Sequence, residues 1–358
     1  MRKDKLFNKL YTGLFLALSL LPLLVLLIFG PGRAAANERL SPAPKLTAAD
    51  GAFNAQVLTE LSDYFADHFG LRREAASAWA GLNAALGASV EDQVILGKEG
   101  WLYYSETEDD YRGLGLSDEE LAAVARNLAR AQAALAERGI RFVFTVAPNK
   151  NSLYPSQMPD YIPRDADSSN AARLPALLEA EGVRYADLYA PFLAEPETLY
   201  FAADSHWNSR GAALAADTLL RAANRESDWY AQPFNGRQPH TGDLAEMLYP
   251  RRTPREDDPV CAQAFRHSCE GDPNGGNAIT IRTRCDGAEG ALYCWRDSFG
   301  ISLYPYLADG FGSAVFSRAA VYDLTKEEVL SSDVVILEIV ERNLSRLAAD
   351  DAFVFPTE

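Results

Sequence analysis

The run Phe142-Val143-Phe144-Thr145-Val146-Ala147, closed by Pro148, is the tightest constraint on how this chain folds. Side chains alternate between the two faces of a strand, so a run apolar at nearly every position is one buried on both faces. Such strands belong to parallel sheets covered by helices. The flanking signals agree. Ser117-Asp118-Glu119-Glu120 is a capping box ahead of an Ala/Leu helix that stops at Gly139. The order then repeats, with a helix over 170–181 ended by Gly182, a strand at 183–188 and a helix over 209–223. It resumes with a strand at 291–295, a helix over 301–307 and strands at 319–322 and 334–340. Alternating helices and apolar strands predict an α/β fold with a mostly parallel sheet. Upstream, residues 53–86 carry a helical pattern broken near Gly70, and 94–104 reads as strand, turn, strand. Residues 225–290 interrupt the rhythm, are rich in Gly, Pro, Asn and Cys, and are expected to form an insertion.

The amino terminus has a different character. Arg2, Lys3, Lys5 and Lys9 precede an uncharged run from Leu10 to Phe29. Twenty residues at ~1.5 Å each reach about 30 Å, the thickness of a bilayer core. A basic head stays in the cytoplasm, so everything after Arg33 is expected outside it. Residues 1–36 are therefore a basic head with a membrane anchor or signal, 37–52 an Ala/Pro-rich spacer, and 53–358 the exported domain. Ala34-Ala35-Ala36 supplies the small-residue pattern of a cleavage site, although the apolar run exceeds the roughly 7–15 residues of a cleaved signal. An uncleaved single-pass anchor on the periplasmic face of the inner membrane is the first expectation, and release after Ala36 the second.

The net charge is −16, and the first 36 residues carry five basic side chains against Asp4, which leaves the exported part near −20. That acidity argues against nucleic acid as a partner, because binding it relies on neutralising phosphates. All four cysteines, Cys261, Cys269, Cys285 and Cys294, lie in one stretch without the close pairs of a zinc knuckle. In an oxidising compartment such a cluster is expected to form two disulfides stapling the 225–290 insertion, with the pairing open. No metal and no cofactor is expected.

The chain has four histidines, His68, His206, His240 and His267. His68 sits within an amphipathic helix and is expected to be structural, and His240 and His267 lie in or beside the insertion. His206 follows a strand and a loop, stands before a helix, and has Asp204 two residues upstream. An aspartate held near an imidazole fixes its tautomer and stabilises the imidazolium form. The alternative is that Asp204 caps the following helix while His206 packs nearby. Trp295-Arg296-Asp297-Ser298-Phe299-Gly300 occupies a second strand-to-helix junction. A serine there presents its hydroxyl beside the free N–H groups of a helix start, which can hold an oxyanion. It is equally placed to be a helix cap.

Taken together, the motifs resemble the alginate O-acetyltransferase group, the AlgX/AlgJ-like proteins of the SGNH hydrolase superfamily, from about residue 53 to 345. The resemblance rests on Asp67-His68-Phe69-Gly70-Leu71-Arg72, Gly97-Lys98-Glu99-Gly100-Trp101-Leu102, Pro148-Asn149-Lys150, Asp204-Ser205-His206-Trp207-Asn208, Gly242-Asp243-Leu244, Asp297-Ser298-Phe299 and Glu341-Arg342. It implies an SGNH/flavodoxin-like parallel sheet flanked by helices and circularly permuted, since the serine follows the D-x-H pair in the chain. It also implies a triad in which Ser298 takes an acyl group, His206 shuttles the proton and Asp204 orients His206. Tyr304, about two helical turns past the serine, would line the acceptor site. Lys150 would contact the sugar or make a structural ion pair, and Arg342 would serve the oxyanion or substrate. Arg296 stands where many relatives carry glycine, and no appended carbohydrate-binding domain is expected.

The implied activity is O-acetylation of an exported polysaccharide, the acetyl donor arriving through a membrane-embedded partner. Two alternatives stand beside it: a carbohydrate esterase with the same triad, and a non-catalytic polysaccharide-binding or scaffold subunit of an export complex.

Overall fold

The computed structural model describes residues 2–30, 40–47, 51–85, 88–251, 253–270, 279–319 and 321–356. The Ala36 cleavage site and residues 37–39 and 48–50 of the spacer lie outside the described residues. The chain divides into two compact units, residues 1–90 with 246–253, and residues 91–245 with 254–358.

In the first unit one helix runs from Arg2 to Phe29, and its Phe7–Phe29 part is long and apolar enough to cross a membrane. Leu27, Ile28 and Phe29 are exposed on it. Helices Val57–His68 and Arg72–Ala85 follow, broken at Gly70 as the sequence predicts. A β-carbon on Gly70 would lie 2.6 Å from the Pro22 carbonyl oxygen, so only glycine lets the chain pass that close. His68 is structural: Nδ1 donates to the Tyr64 carbonyl at 2.8 Å and the ring stacks on Tyr64.

The second unit is built on a six-stranded sheet. Strands β1 (Val94–Leu96) and β2 (Leu102–Tyr104) form a separate antiparallel pair. After the capped helix Asp118–Ala136 comes β3 (Arg141–Ala147). Helices Asn170–Ala180 and Ser209–Ala222 precede an antiparallel hairpin of β4 (Gly236–Thr241) and β5 (Arg255–Val260). Then follow β6 (Ser268–Glu270), β7 (Thr280–Arg284), β8 (Ala291–Trp295), helix Gly300–Ala308, β9 (Ser313–Ser317), β10 (Tyr322–Asp323), β11 (Val334–Val340) and β12 (Phe353–Val354). The sheet order is β3-β11-β8-β9-β7-β6. β3, β11, β8 and β9 run parallel, and β7 and β6 extend the sheet antiparallel. β10 and β12 pair apart from it.

Alternation along the strands sorts the core into two layers. Val143, Leu292, Ile336 and Val340 pack with helices Ser209–Ala222 and Gly300–Ala308 on one face. Phe142, Phe144, Val335, Leu337 and Ile339 pack with helices Asp118–Ala136 and Asn170–Ala180 on the other. Full burial of each such side chain contributes about 1.5–3 kcal/mol, which is why the all-apolar runs lie in the middle of the sheet.

Three expectations need correction. The strand expected at 183–188 reduces to a single parallel bridge between Phe144 and Tyr185. The strand expected at 319–322 falls earlier, at Ser313–Ser317, where alternate side chains can enter the core. The stretch 225–290 is not a disulfide-stapled appendage. β6 and β7 join the main sheet, and all four cysteines are free. Cys294 points into the core from β8, Cys285 is buried with its thiol against the Asp309 carbonyl, and Cys269 is exposed on the edge strand. Positions so divided between core and edge do not bring two sulfurs to bonding distance.

Candidate active site

Three neighbouring parallel strands, β3, β11 and β8, end side by side, and their carboxyl-terminal loops carry Asn149-Lys150, Glu341-Arg342 and Asp297-Ser298. Open α/β sheets place their sites at this edge. The Ser298 loop is tied down on both sides. Asp297 Oδ1 accepts from Phe299 N at 2.8 Å, and its Oδ2 accepts from Val340 N at 2.7 Å, which fastens the loop to the end of β11. Arg296 is buried, and a β-carbon on Gly300 would meet its side chain. The glycine that this motif lacks before Asp297 is thus compensated by the one after Phe299, which makes room for the Arg296 stem.

The other half of the site is the loop 201–206. Asn208, not Asp204, caps the next helix, its Oδ1 accepting from Arg210 N and Gly211 N. Asp204 is therefore free for His206, and Oδ1 accepts from His206 Nδ1 at 2.7 Å and His206 N at 2.8 Å. Oδ2 accepts from His240 Nε2 at 2.8 Å and Asp243 N at 3.1 Å. Burial by itself would raise the Asp204 carboxyl, but the His206 charge and the bonds from both histidines outweigh it and hold the group well below the usual carboxylate range. Burial works against a charged His206, and Asp204 and then Asp243 reverse that, so its imidazole binds a proton more readily than an ordinary histidine.

The two halves meet through aromatic side chains. The Phe299 ring lies 4.6 Å from the His206 ring and 5.0 Å, edge-on, from Trp207, and Trp207 Nε1 donates to Ser302 Oγ at 2.7 Å. Ser298, His206 and Asp204 line one cavity of about 260 Å³, together with Phe201, His240, Asp258 and Ser302. His206 Nε2 is buried and makes no hydrogen bond among the described residues.

The remaining sequence candidates fall differently. Lys150 is 4 % exposed and directs its ammonium at the carbonyls of Phe201 (3.1 Å), Ala202 (2.9 Å) and Asp204 (2.6 Å). An ammonium has three hydrogens, and all three are engaged, so Lys150 shapes the 201–204 loop rather than reaching a sugar. Burial pushes it down to about 7, against the pull of Asp204, Asp243 and Glu256. Tyr304 does not line the cavity. Its ring packs on Phe316 and His267, because six residues along a helix place it about 240° round the axis. Arg342 does stand at the site: its guanidinium lies 5.6 Å from the Phe299 ring centre and 5.3 Å from that of Tyr104, and its charge opposes protonation of His206.

His240, Asp243 and Asn149 are functional neighbours that sequence reasoning passed over or left without a role. The Asn149 amide is buried, with no hydrogen-bond partner for either its oxygen or its nitrogen among the described residues. Gly242 lets the His240–Asp243 segment press against the Ala203 carbonyl. Asp204, His206 and Asp243 bring three possible metal-ligand atoms within 4.8 Å, but these atoms are engaged with one another and with Ser205, as an interlocked hydrogen-bond network.

The profile of the SGNH hydrolase-like domain of the acetyltransferase AlgX matches residues 94–269. Over this stretch the chain is similar to the AlgX/AlgJ-like proteins. It is 25 % identical over 247 residues to the probable alginate O-acetylase AlgJ of Pseudomonas syringae, covering 67 % of this chain and 60 % of that one. To the Pseudomonas fluorescens protein of the same name it is 24 % identical over 248 residues, covering 67 % and 59 %. The chain thus spans about three-fifths of the length of the relatives it matches. Among solved structures, Bacillus cereus PatB1 superposes with a TM-score of 0.53 at 15 % identity, covering 72 % of this chain and 98 % of that one. A DHHW family protein from Eubacterium siraeum gives 0.51 at 12 % identity, covering 74 % and 99 %. These two likenesses show a shared α/β fold, and the matched profile describes it as SGNH hydrolase-like.

Proposed function

We propose that the chain is a serine O-acetyltransferase that moves an acetyl group through Ser298 onto a hydroxyl of an exported polysaccharide. The observation that carries this reading is a pair of facts about one imidazole. His206 holds Asp204 through Nδ1, and its unpartnered Nε2 belongs to a side chain sharing a cavity with Ser298. Asp204, a charged acceptor, fixes the proton on Nδ1 and leaves Nε2 as the base. As Ser298 Oγ attacks the donor carbonyl, Nε2 takes its proton and returns it to the departing group. The acyl–serine ester then meets a sugar hydroxyl, whose proton passes to Nε2 and on to Ser298 Oγ as the ester changes hands. The cycle requires a single new hydrogen bond, between Ser298 Oγ and Nε2, of a kind that tightens only when substrate arrives. A cavity of about 260 Å³ fits an acyl group with part of one sugar. Arg342 and the backbone around Ser298 are the donors nearest the developing oxyanion in this scheme.

The relatives named as probable alginate O-acetylases support a polysaccharide acceptor. In the proposed setting the Arg2–Phe29 helix tethers the domain to the periplasmic face of the membrane, where a membrane partner hands over the acetyl group. The serine-after-histidine order is that of a circularly permuted SGNH domain.

The test is acyl transfer from para-nitrophenyl acetate with and without added uronic-acid oligosaccharides, in wild type and Ser298→Ala. The expected result is acetylated oligosaccharide formed at the expense of free acetate, and loss of turnover by about a thousandfold or more in the variant. Acetate release indifferent to sugar would replace transferase by esterase. Full polymer acetylation in cells carrying Ser298→Ala would leave a non-catalytic subunit instead.

A further inference from the structure

Asp204 serves two imidazoles, and the triad reading uses only one. His240 sits on β4, opposite Glu256 of β5 in the antiparallel register, with its ring stacked on Phe201 at 3.9 Å and 11°. Its Nε2 lies 2.8 Å from Asp204 Oδ2. An ionised carboxylate only accepts, so this nitrogen carries a proton. Each Asp204 oxygen then has two donors, His206 N and Nδ1 on Oδ1, His240 Nε2 and Asp243 N on Oδ2. A carboxylate held at four points cannot swing away from His206.

We propose that His240 is a positioning residue of the acyl-transfer site: its Nε2–H pins Oδ2 of Asp204 so that Oδ1 stays on His206, and its charge state sets how strongly Asp204 draws a proton onto His206. This inference rests on the triad reading above. The charged and titratable groups facing the His240 ring are Asp204 from the 201–206 loop, Glu256 and Asp258 from β5, and, across Asp204, His206 and Asp243. Burial disfavours a charged His240, but the bond to Asp204 and the three surrounding carboxylates favour it, and they win. A protonated His240 shares the negative charge of Asp204, so His206 releases its proton at lower pH than it would with Asp204 to itself. The second imidazole thereby offsets part of the rise that Asp204 and Asp243 impose on His206, and Nε2 becomes free to act as a base at a lower pH than it would without His240.

Three full-length variants separate the roles, assayed with para-nitrophenyl acetate across pH and checked by circular dichroism. His240→Gln keeps a donor without a charge. Its kcat on the alkaline plateau is expected near wild type, with the acid limb of kcat/KM moved to higher pH. His240→Phe keeps the stack on Phe201 but has no donor. It is expected to lose about ten- to a hundredfold in kcat, the scale seen when the outer partner of a histidine is removed, with KM unchanged. Ser298→Ala serves as the control for the triad itself. Gln and Phe variants whose kcat and pH profiles superimpose on wild type, with Ser298→Ala inactive, would overturn the role of His240 while leaving the triad standing. A rise in KM confined to both His240 variants would overturn it too, by making His240 a substrate contact. An active Ser298→Ala would instead remove the triad on which the inference rests.

Discussion

Asp204 and Glu341 are both buried carboxyls at the same edge of the sheet, 4 % and 0 % exposed, and their surroundings set them apart. Asp204 collects four donors, two of them from imidazoles, and stays charged. Glu341 receives Asn149 N and Ser152 Oγ on one oxygen, both at 2.9 Å, while its other oxygen, near Tyr189 and Asp110, makes no well-formed hydrogen bond among the described residues. Burial first, and then the neighbouring Asp110, push it up to about 8, so it is mostly neutral near pH 7. Depth is the same; the count and charge of the donors decide whether a buried acid remains an anion. One carboxyl holds the His206 imidazole, and the other braces the end of β3 against the end of β11.

The largest expected effect on this contrast comes from amide replacements. Asp204→Asn puts an NH₂ where an acceptor is needed and favours the wrong His206 tautomer, so kcat should fall by about 10³–10⁴. Glu341→Gln substitutes a neutral isostere for an acid already neutral, and kcat should stay near wild type. Steady-state kinetics on the two variants checks both, and equal losses would break the distinction.

Lys150→Met comes next. It strands three carbonyls of the 201–204 loop away from any donor, which should lower stability by about 2–5 kcal/mol in urea unfolding and weaken kcat through the displaced Asp204. Stability and kcat both unchanged would show that the loop holds Asp204 in place without the ammonium.

The smallest effect is a difference in pH slope. The folded-state proton affinity of Glu341 is raised from an ordinary 4.5 to about 8, so the native state binds that proton more tightly than the unfolded chain does. Its contribution is full below about 4.5 and is lost as pH rises toward 8. For Asp204 the sign is opposite, its contribution being present above the ordinary carboxyl range and lost as pH falls through its depressed native value. Melting temperatures at pH 5 and pH 8 should therefore converge in Glu341→Gln relative to wild type, and the acid-side loss should shrink in Asp204→Asn.

Much of this was legible before the fold was known, for reasons tied to particular residues. β3 and β11 announce themselves because strands buried on both faces must be apolar at nearly every position. The capping box at Ser117 needs only local geometry and forms as the residues predict. Asp204 and His206 stand two apart, so their meeting is a local event as well. His240 meets the same carboxylate from 36 residues away, across a hairpin that composition had disguised as an insertion. Cysteine spacing misled for a related reason: sequence proximity places four thiols in one stretch, but the sheet sends them to core and edge separately. Tyr304 failed on helical phase, and Lys150 on the unforeseen demand of three inward-facing carbonyls.

The most direct test is where the acetyl group sits in mid-reaction. Wild-type protein turning over para-nitrophenyl acetate is quenched in acid, digested and mapped by mass spectrometry, beside His206→Gln and Ser298→Ala. One acetyl on the peptide containing Ser298 is expected in the wild type, with none on that peptide in either variant. An acetyl carried by another side chain, or undiminished turnover in Ser298→Ala, would contradict the assignment of the nucleophile.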